Sequence, residues 1–204
     1  MPDNSTTNHS QPSIVDIRQQ KRTQRRDLST ATQQQHSQAL CQNIIKLKSY
    51  RNSQHVACYL SNDGEIDPSQ LIEHAWFAKK TVYLPVLSPI KNSLYFARYD
   101  ENSQFKHNRF NIAEPICQPS DWIKASQLDL LLLPLVAFDT DGNRVGMGGG
   151  FYDRTLAYLQ HRRHWRKPVL MGLAHELQKT DKLESQSWDI PLNGVITEKR
   201  LYEA

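Results

Sequence analysis

Apolar positions in this chain fall into short runs, and the polar stretches between them carry helical spacing. The longest run, Leu128 to Leu133, is long enough for one strand buried on both faces, and Pro134, which has no N–H, ends its hydrogen-bond ladder. Further strands are predicted over His55 to Leu60 (HVACYL), Lys80 to Val86 (KTVYLPV), Lys167 to Leu173 (KPVLMGL) and Val195 to Thr197. Leu94 to Tyr99 (LYFARY) alternates as a half-exposed strand does. Helices are predicted from Ile14 to Arg26 and from a Ser29 or Thr30 cap to about Lys48, the latter burying Leu40, Ile44 and Leu47. A third starts at Asp67-Pro68 and turns Leu71, Ile72, Ala75 and Trp76 inward; a fourth runs from Tyr152 to about His161. This alternation predicts an α/β fold: a mostly parallel sheet covered by helices on both faces, a three-layer αβα sandwich. One domain over residues 14–204 would follow a polar, disordered tail at residues 1–13.

Between Asp100 and Ser126 the pattern weakens. Charged residues mix with Phe105, Phe110, Ile112 and Trp122, and Pro115 and Pro119 interrupt, which predicts a long excursion. Phe110 and Trp122 either stack on a flat ligand or pin this excursion to the core.

The chemistry concentrates after the buried strand, in LVAFDTDGNRVGMGGGFYDRTL. Asp141-Gly142 marks a tight turn, and Gly146, Gly148, Gly149 and Gly150 then leave the backbone bare enough to direct N–H groups at an anion. This reads as a phosphate-binding loop, with the positive end of the following helix aimed at the same place. Neither a P-loop nor a dinucleotide fingerprint is present, since Gly150 is followed by Phe151 and Tyr152. A merely mobile surface loop is the plainer reading, but Asp153 can ligate magnesium and Arg144 or Arg154 can pair with phosphate oxygens. Glu65 sits between a strand end and a helix start, on the sheet edge where α/β ligands collect. Asp189 is a second, apolar-flanked acid that could share the metal with Asp153. No histidine pair at metal spacing and no serine elbow is present, which suits phosphoryl transfer, where positioning and charge neutralisation supply most of the acceleration.

Composition narrows the class without choosing the ligand. With 204 residues, 38% of them hydrophobic, the chain can bury one continuous core. A formal charge of +4 suits an anionic small molecule or nucleic acid equally. The basic side chains Arg18, Lys21, Arg22 and Arg25 read as a solvated helix face, and HRRHWRKP as a charged helix end or a nucleic-acid patch. Cys41, Cys58 and Cys117 are far apart and odd in number, so buried thiols in a reducing cytosol are expected. With no signal-peptide pattern and no apolar run near the roughly 20 residues that span a bilayer, the expected location is the cytoplasm.

The segment GNRVGMGGGFYDRTL resembles the signature of the 5-formyltetrahydrofolate cyclo-ligases, also called methenyltetrahydrofolate synthetases. The resemblance continues through YLSNDGEID, KTVYLPV, LDLLLLPLVAFD and SWDIPLNGVIT, nearly the whole chain from about Ile14. It implies an ATP- and Mg2+-dependent ring closure of 5-formyltetrahydrofolate to 5,10-methenyltetrahydrofolate. By similarity, ATP is held by Arg18 and by Arg144, Val145, Gly146, Met147, Gly148, Gly149, Gly150, Phe151 and Tyr152, and magnesium by Asp153 and Asp189. Leu60, Glu65, Phe110 and Tyr152 match folate-contacting positions, with Glu65, Arg144 and Tyr152 in catalytic roles. The family's amino-terminal Lys-x-x-x-Arg falls on Ile14 and Arg18, so its lysine contact is lost or comes from Lys21 or Arg25. The implied partners are ATP and a folate, with or without a polyglutamate tail, acting on a monomer without nucleic acid or membrane. The competing readings are another ATP-dependent small-metabolite kinase or ligase and a basic nucleic-acid-binding module.

Overall fold

The computed structural model describes residues 12–161 and 167–204. The amino-terminal half contains helices α1 (Ile14–Arg26), α2 (Thr30–Ile44) and α3 (Lys48–Arg51), strand β1 (His55–Ala57), helix α4 (Ser69–Phe77), and strands β2 (Thr81–Leu87) and β3 (Leu94–Tyr99). Then follow β4 (Phe105–His107), β5 (Ala113–Pro115), β6 (Leu130–Pro134), β7 (Ala137–Phe138), β8 (Arg144–Val145) and helix α5 (Phe151–Leu156). Strands β9 (Val169–Leu173), β10 (Gly194–Ile196) and β11 (Leu201–Glu203) complete the chain.

Seven strands form the central sheet in the order β11-β10-β9-β6-β1-β2-β3. All neighbours from β10 to β2 are parallel, and only the two edge strands run antiparallel. The apolar run in β6 explains the layering. Leu130 and Leu132 enter one core with Leu40 and Ile44 of α2 and with Leu71, Ile72 and Ala75 of α4. Leu131 and Leu133 enter the other with Leu128, Leu156 of α5, Ile190 and Leu192. Each such leucine contributes about 1.5–3 kcal/mol by leaving water, so a strand apolar on both faces demands cover on both. The expected αβα arrangement is borne out. One outer layer is built from α2 and α4; the other relies on short α5, 3-10 turns and the segment around Ile190.

Several boundaries differ from expectation for local reasons. The predicted fourth helix ends at Leu156 and tightens into a 3-10 turn over Ala157–His161. The second helix stops at Ile44, and Leu47 instead precedes α3. Residues Asp100 to Ser126 are not a structureless excursion, because β4 and β5 pair as a hairpin with Lys106 opposite Glu114. Its strands are three residues long and β4 is exposed throughout, which leaves no alternation to read. Asn108 closes the hairpin, its Oδ1 accepting from the N–H groups of Phe110 (2.9 Å) and Ile112 (3.2 Å). Trp122 is the anchor among the two aromatic candidates: its indole N–H donates to Cys117 Sγ at 3.1 Å and its ring lies 5.7 Å from Tyr95. Ribbon β7-β8 and edge strand β11 escaped the pattern because they are only two and three residues long.

Helix α1 begins at a reciprocal cap, in which Ser13 Oγ accepts from Asp16 N–H and Asp16 Oδ2 accepts from Ser13 N–H, both at 3.2 Å. Its basic face is not simply solvated. Arg25 is fully buried and Lys21 donates to the carbonyls of Leu177 (2.6 Å) and Lys179 (2.9 Å). The three cysteines are free, with Cys58 buried and the others half-buried. Among the described residues no helix is long and apolar enough to cross a membrane. Most of the predicted tail (residues 1–11) and of the HRRHWR patch (residues 162–166) lies outside the described residues.

Candidate active site

One cleft of about 850 Å³ opens where β1, β2 and β6 end. Arg18, Leu60, Glu65, Phe110, every residue from Arg144 to Asp153, and Asp189 all line it. Five separate parts of the sequence thus meet in one place, at the carboxyl edge of a largely parallel sheet.

The glycine loop forms one wall. It is launched by a turn built on buried Asp139, whose carboxylate accepts from the backbone N–H groups of Asp141 (3.0 Å), Asn143 (2.9 Å) and Leu183 (3.0 Å) and from the Asn143 amide (2.9 Å). Gly150 leaves the loop with φ +60°, a left-handed conformation that favours glycine. Both arginines supplied by the loop already donate to protein oxygens. Arg144 donates to Asp153 Oδ1 at 2.5 Å and to the Ile190 carbonyl; Arg154 donates to the carbonyls of Asn92 (2.6 Å) and Gly149. A further cation reaches this wall from α1, as half-buried Arg18 donates from Nε to the Gly146 carbonyl at 2.8 Å. Lys21 and Arg25, the other two amino-terminal candidates, are held elsewhere by protein oxygens. Helix α5 has six residues, so its dipole adds little to what the loop provides.

The other wall is the turn from Asn62 to Glu65. Asp63 receives Arg22 (2.8 Å), Arg25 (2.9 Å) and Arg26. Burial works to raise its pKa, but these hydrogen bonds from Arg22, Arg26 and Arg25 outweigh burial and hold the carboxyl at about 2. Glu65 faces the cleft with far less help. Its Oε2 accepts from Asn62 N–H at 3.1 Å, and Arg25 Nη2 stands 3.7 Å from Oε1. Burial therefore pushes Glu65 up to about 7, partly offset by Arg25 and the Asn62 N–H. Burial, with the Glu65 charge adding to it, also raises the phenols of Tyr59 and Tyr152.

Phe110 stands at the cleft mouth on the β4-β5 hairpin, half exposed, with its ring edge-on to Phe151 at 5.5 Å. The hairpin is fixed by buried Glu114, whose Oε1 accepts from Leu87 N–H and from the Asn108 amide, each at 2.8 Å. Asp139, Asp63, Arg25 and Glu114 were missed at the level of sequence. Asp141-Gly142 marks the first turn and Asp63-Gly64 is a signal of the same kind that could have found the second, but nothing local signals that Arg25 or Glu114 is buried.

A sequence model of the 5-formyltetrahydrofolate cyclo-ligase family matches residues 11–198. The chain belongs to that family. The 5-formyltetrahydrofolate cyclo-ligase of Haemophilus influenzae is 41% identical over 184 residues, covering 88% of this chain and 96% of the relative. The Escherichia coli K12 cyclo-ligase is 43% identical over 183 residues, covering 89% and 98%. Among solved structures, the Aquifex aeolicus 5,10-methenyltetrahydrofolate synthetase superposes with a TM-score of 0.77 at 27% identity, covering 93% of this chain and 92% of that one. A synthetase from Mycoplasma pneumoniae shares the fold, with a TM-score of 0.70 at 22% identity. In this cyclo-ligase family member the glycine signature and the Glu65 turn line one cleft.

Proposed function

We propose that this protein closes 5-formyltetrahydrofolate to 5,10-methenyltetrahydrofolate, using ATP and magnesium and releasing ADP and phosphate, as a cytoplasmic monomer. The observation that carries the reading is the union, in one cleft, of an exposed glycine loop beside Arg18 with a part-buried carboxylate, Glu65, and a half-exposed aromatic, Phe110. In this reading the formyl oxygen takes the γ-phosphoryl group and ADP leaves. N10 then attacks the formyl carbon and loses its proton, and the carbon–oxygen bond breaks, so phosphate departs with the formyl oxygen.

Arg18 and the N–H groups of the glycine loop hold the triphosphate, as backbone donors and a charged fork suit phosphate oxygens. Arg144, locked by Asp153 and the Ile190 carbonyl, keeps both acidic segments in register. The donor set fits magnesium. Asp153 gives one oxygen to Arg144 and Asp189 gives one to Gln186 N–H, leaving the other oxygen of each without a protein partner among the described residues. When bound, the ion would neutralise charge on the phosphate oxygens. Phe110 covers the folate ring system. Glu65 accepts a hydrogen bond on the N10 side and takes that proton, a task suited to a carboxyl held at about 7.

Incubation with 5-formyltetrahydrofolate, ATP and magnesium is expected to produce the absorbance of the methenyl product, and omission of any one component to abolish it. Absence of product at stoichiometric enzyme would reject the reading.

A further inference from the structure

We propose that Arg25 is a positioning residue for Glu65, and that α1 is the strut through which the two walls of the cleft are tied together. The inference rests on the function proposed above and assigns a role to a side chain that touches neither ligand.

Arg25 is a fully buried cation, and its contacts define what it does. Its Nε donates to the Asp63 carbonyl (2.8 Å), Nη2 to the Asp63 carboxylate (2.9 Å) and Nη1 to the Leu135 carbonyl (3.1 Å), while Nη2 also faces Glu65 Oε1 at 3.7 Å. One guanidinium therefore joins the turn that carries Glu65 to the chain leaving β6 toward the glycine loop. Gly64 seals the arrangement from the other side: its φ is +72°, and a Cβ there would stand 2.9 Å from the Arg25 carbonyl oxygen. Arg18 and Arg25 lie seven residues apart on α1, two turns or about 10 Å, so they share a face. The helix thus delivers one cation to the glycine loop and another to the Glu65 turn, and a shift of α1 moves both.

The groups facing Glu65 are Arg25 from α1, Asp63 on its own turn, Tyr59 after β1, and Tyr152 from α5. Of these only Arg25 favours the carboxylate, and Asp63 opposes it. Behind Arg25 lies buried His175, held neutral by burial and by His36, with a pKa near 4, so it adds no competing charge at neutral pH. If Glu65 must be ionised to work, Arg25 and Asp63 set the acid limb of the reaction from opposite sides.

The experiment is the pH profile of kcat/KM for 5-formyltetrahydrofolate in wild type, Arg25→Gln, Arg25→Lys and Asp63→Asn. Arg25→Gln is expected to move the acid limb to higher pH and Asp63→Asn to lower pH, with Arg25→Lys between wild type and Arg25→Gln. Each pH unit of movement is about a tenfold change in activity on the acid side. In a Glu65→Gln background the shifts should vanish. A purely structural Arg25 would lower the amount of folded enzyme and leave the limbs of the remaining activity in place, and limbs that stay put or move together overturn the proposal. Should Arg25→Gln not fold, Asp63→Asn and Arg25→Lys carry the test with the same opposed directions required. A wild-type protein that makes no methenyl product would instead remove the function itself.

Discussion

The glycine loop and the Asn62–Glu65 turn share one cleft and differ in almost every physical respect. Positions 146–149 are exposed, and both loop arginines already have protein oxygens as partners. The loop can therefore receive a charged ligand without exposing an unpaired group of its own. The turn is more enclosed, with Asp63 to Glu65 part-buried, and unequal: Asp63 takes three arginines, whereas Glu65, two residues on, has one N–H and one arginine at longer range. Burial pushes both upward: it is the largest influence on Glu65, which reaches about 7, whereas the hydrogen bonds from Arg22, Arg26 and Arg25 outweigh it and hold Asp63 at about 2. In the proposed function, the wall that binds charge is open and satisfied in advance, and the wall that moves a proton is more enclosed and left short of donors.

Substitutions can break this contrast at graded points. Asp153→Asn removes a carboxylate proposed for the metal and the charge that faces Arg144, so kcat/KM should fall on the order of 10²–10³-fold, as for loss of a preorganised charge-stabilising group; normal steady-state kinetics would take Asp153 out of the mechanism. Glu65→Gln should cost about 10²-fold and abolish the acid limb near neutrality. The same variant has a stability signature. Because the folded pKa is raised from 4.5 to about 7, the fold favours protonated Glu65, and that stability is complete below about pH 4.5 and lost as pH rises through 7. Glu65→Gln is then expected to exceed wild type by about 2–3 kcal/mol at pH 8 and to match it at pH 4, which urea titrations at the two pH values would measure.

Smaller effects separate the amino-terminal cations. Arg18→Ala should raise the KM for ATP about tenfold, the loss of one charge-assisted hydrogen bond, with little change in the KM for folate. Lys21→Ala should leave both constants alone and lower only the melting temperature, since its ammonium is held by two carbonyls away from the loop. Phe110→Ala should raise the KM for folate about two- to tenfold through lost ring packing.

These contrasts also explain what could be read without coordinates. Glycines at 146, 148, 149 and 150 announce their backbone geometry locally, and the run at Leu130–Leu133 announces a strand covered on both faces. Glu65 was placed by its position between strand and helix, a rule of topology. Arg25 was misread as solvated because burial of a cation depends on Asp63 and Leu135, 38 and 110 residues away, and helical spacing carries no trace of them. The hairpin that presents Phe110 was hidden for a related reason: its strands are short and exposed, and the carboxylate that fixes it reaches back to the N–H of Leu87.

The central claim is that the cleft brings the formyl oxygen of the folate directly to the terminal phosphate of ATP. It is tested most directly by running the reaction with 5-formyltetrahydrofolate labelled with 18O in the formyl group and weighing the phosphate released. Transfer of the label into phosphate, one atom per turnover, is the predicted result. Unlabelled phosphate, with the 18O appearing in water, would contradict it.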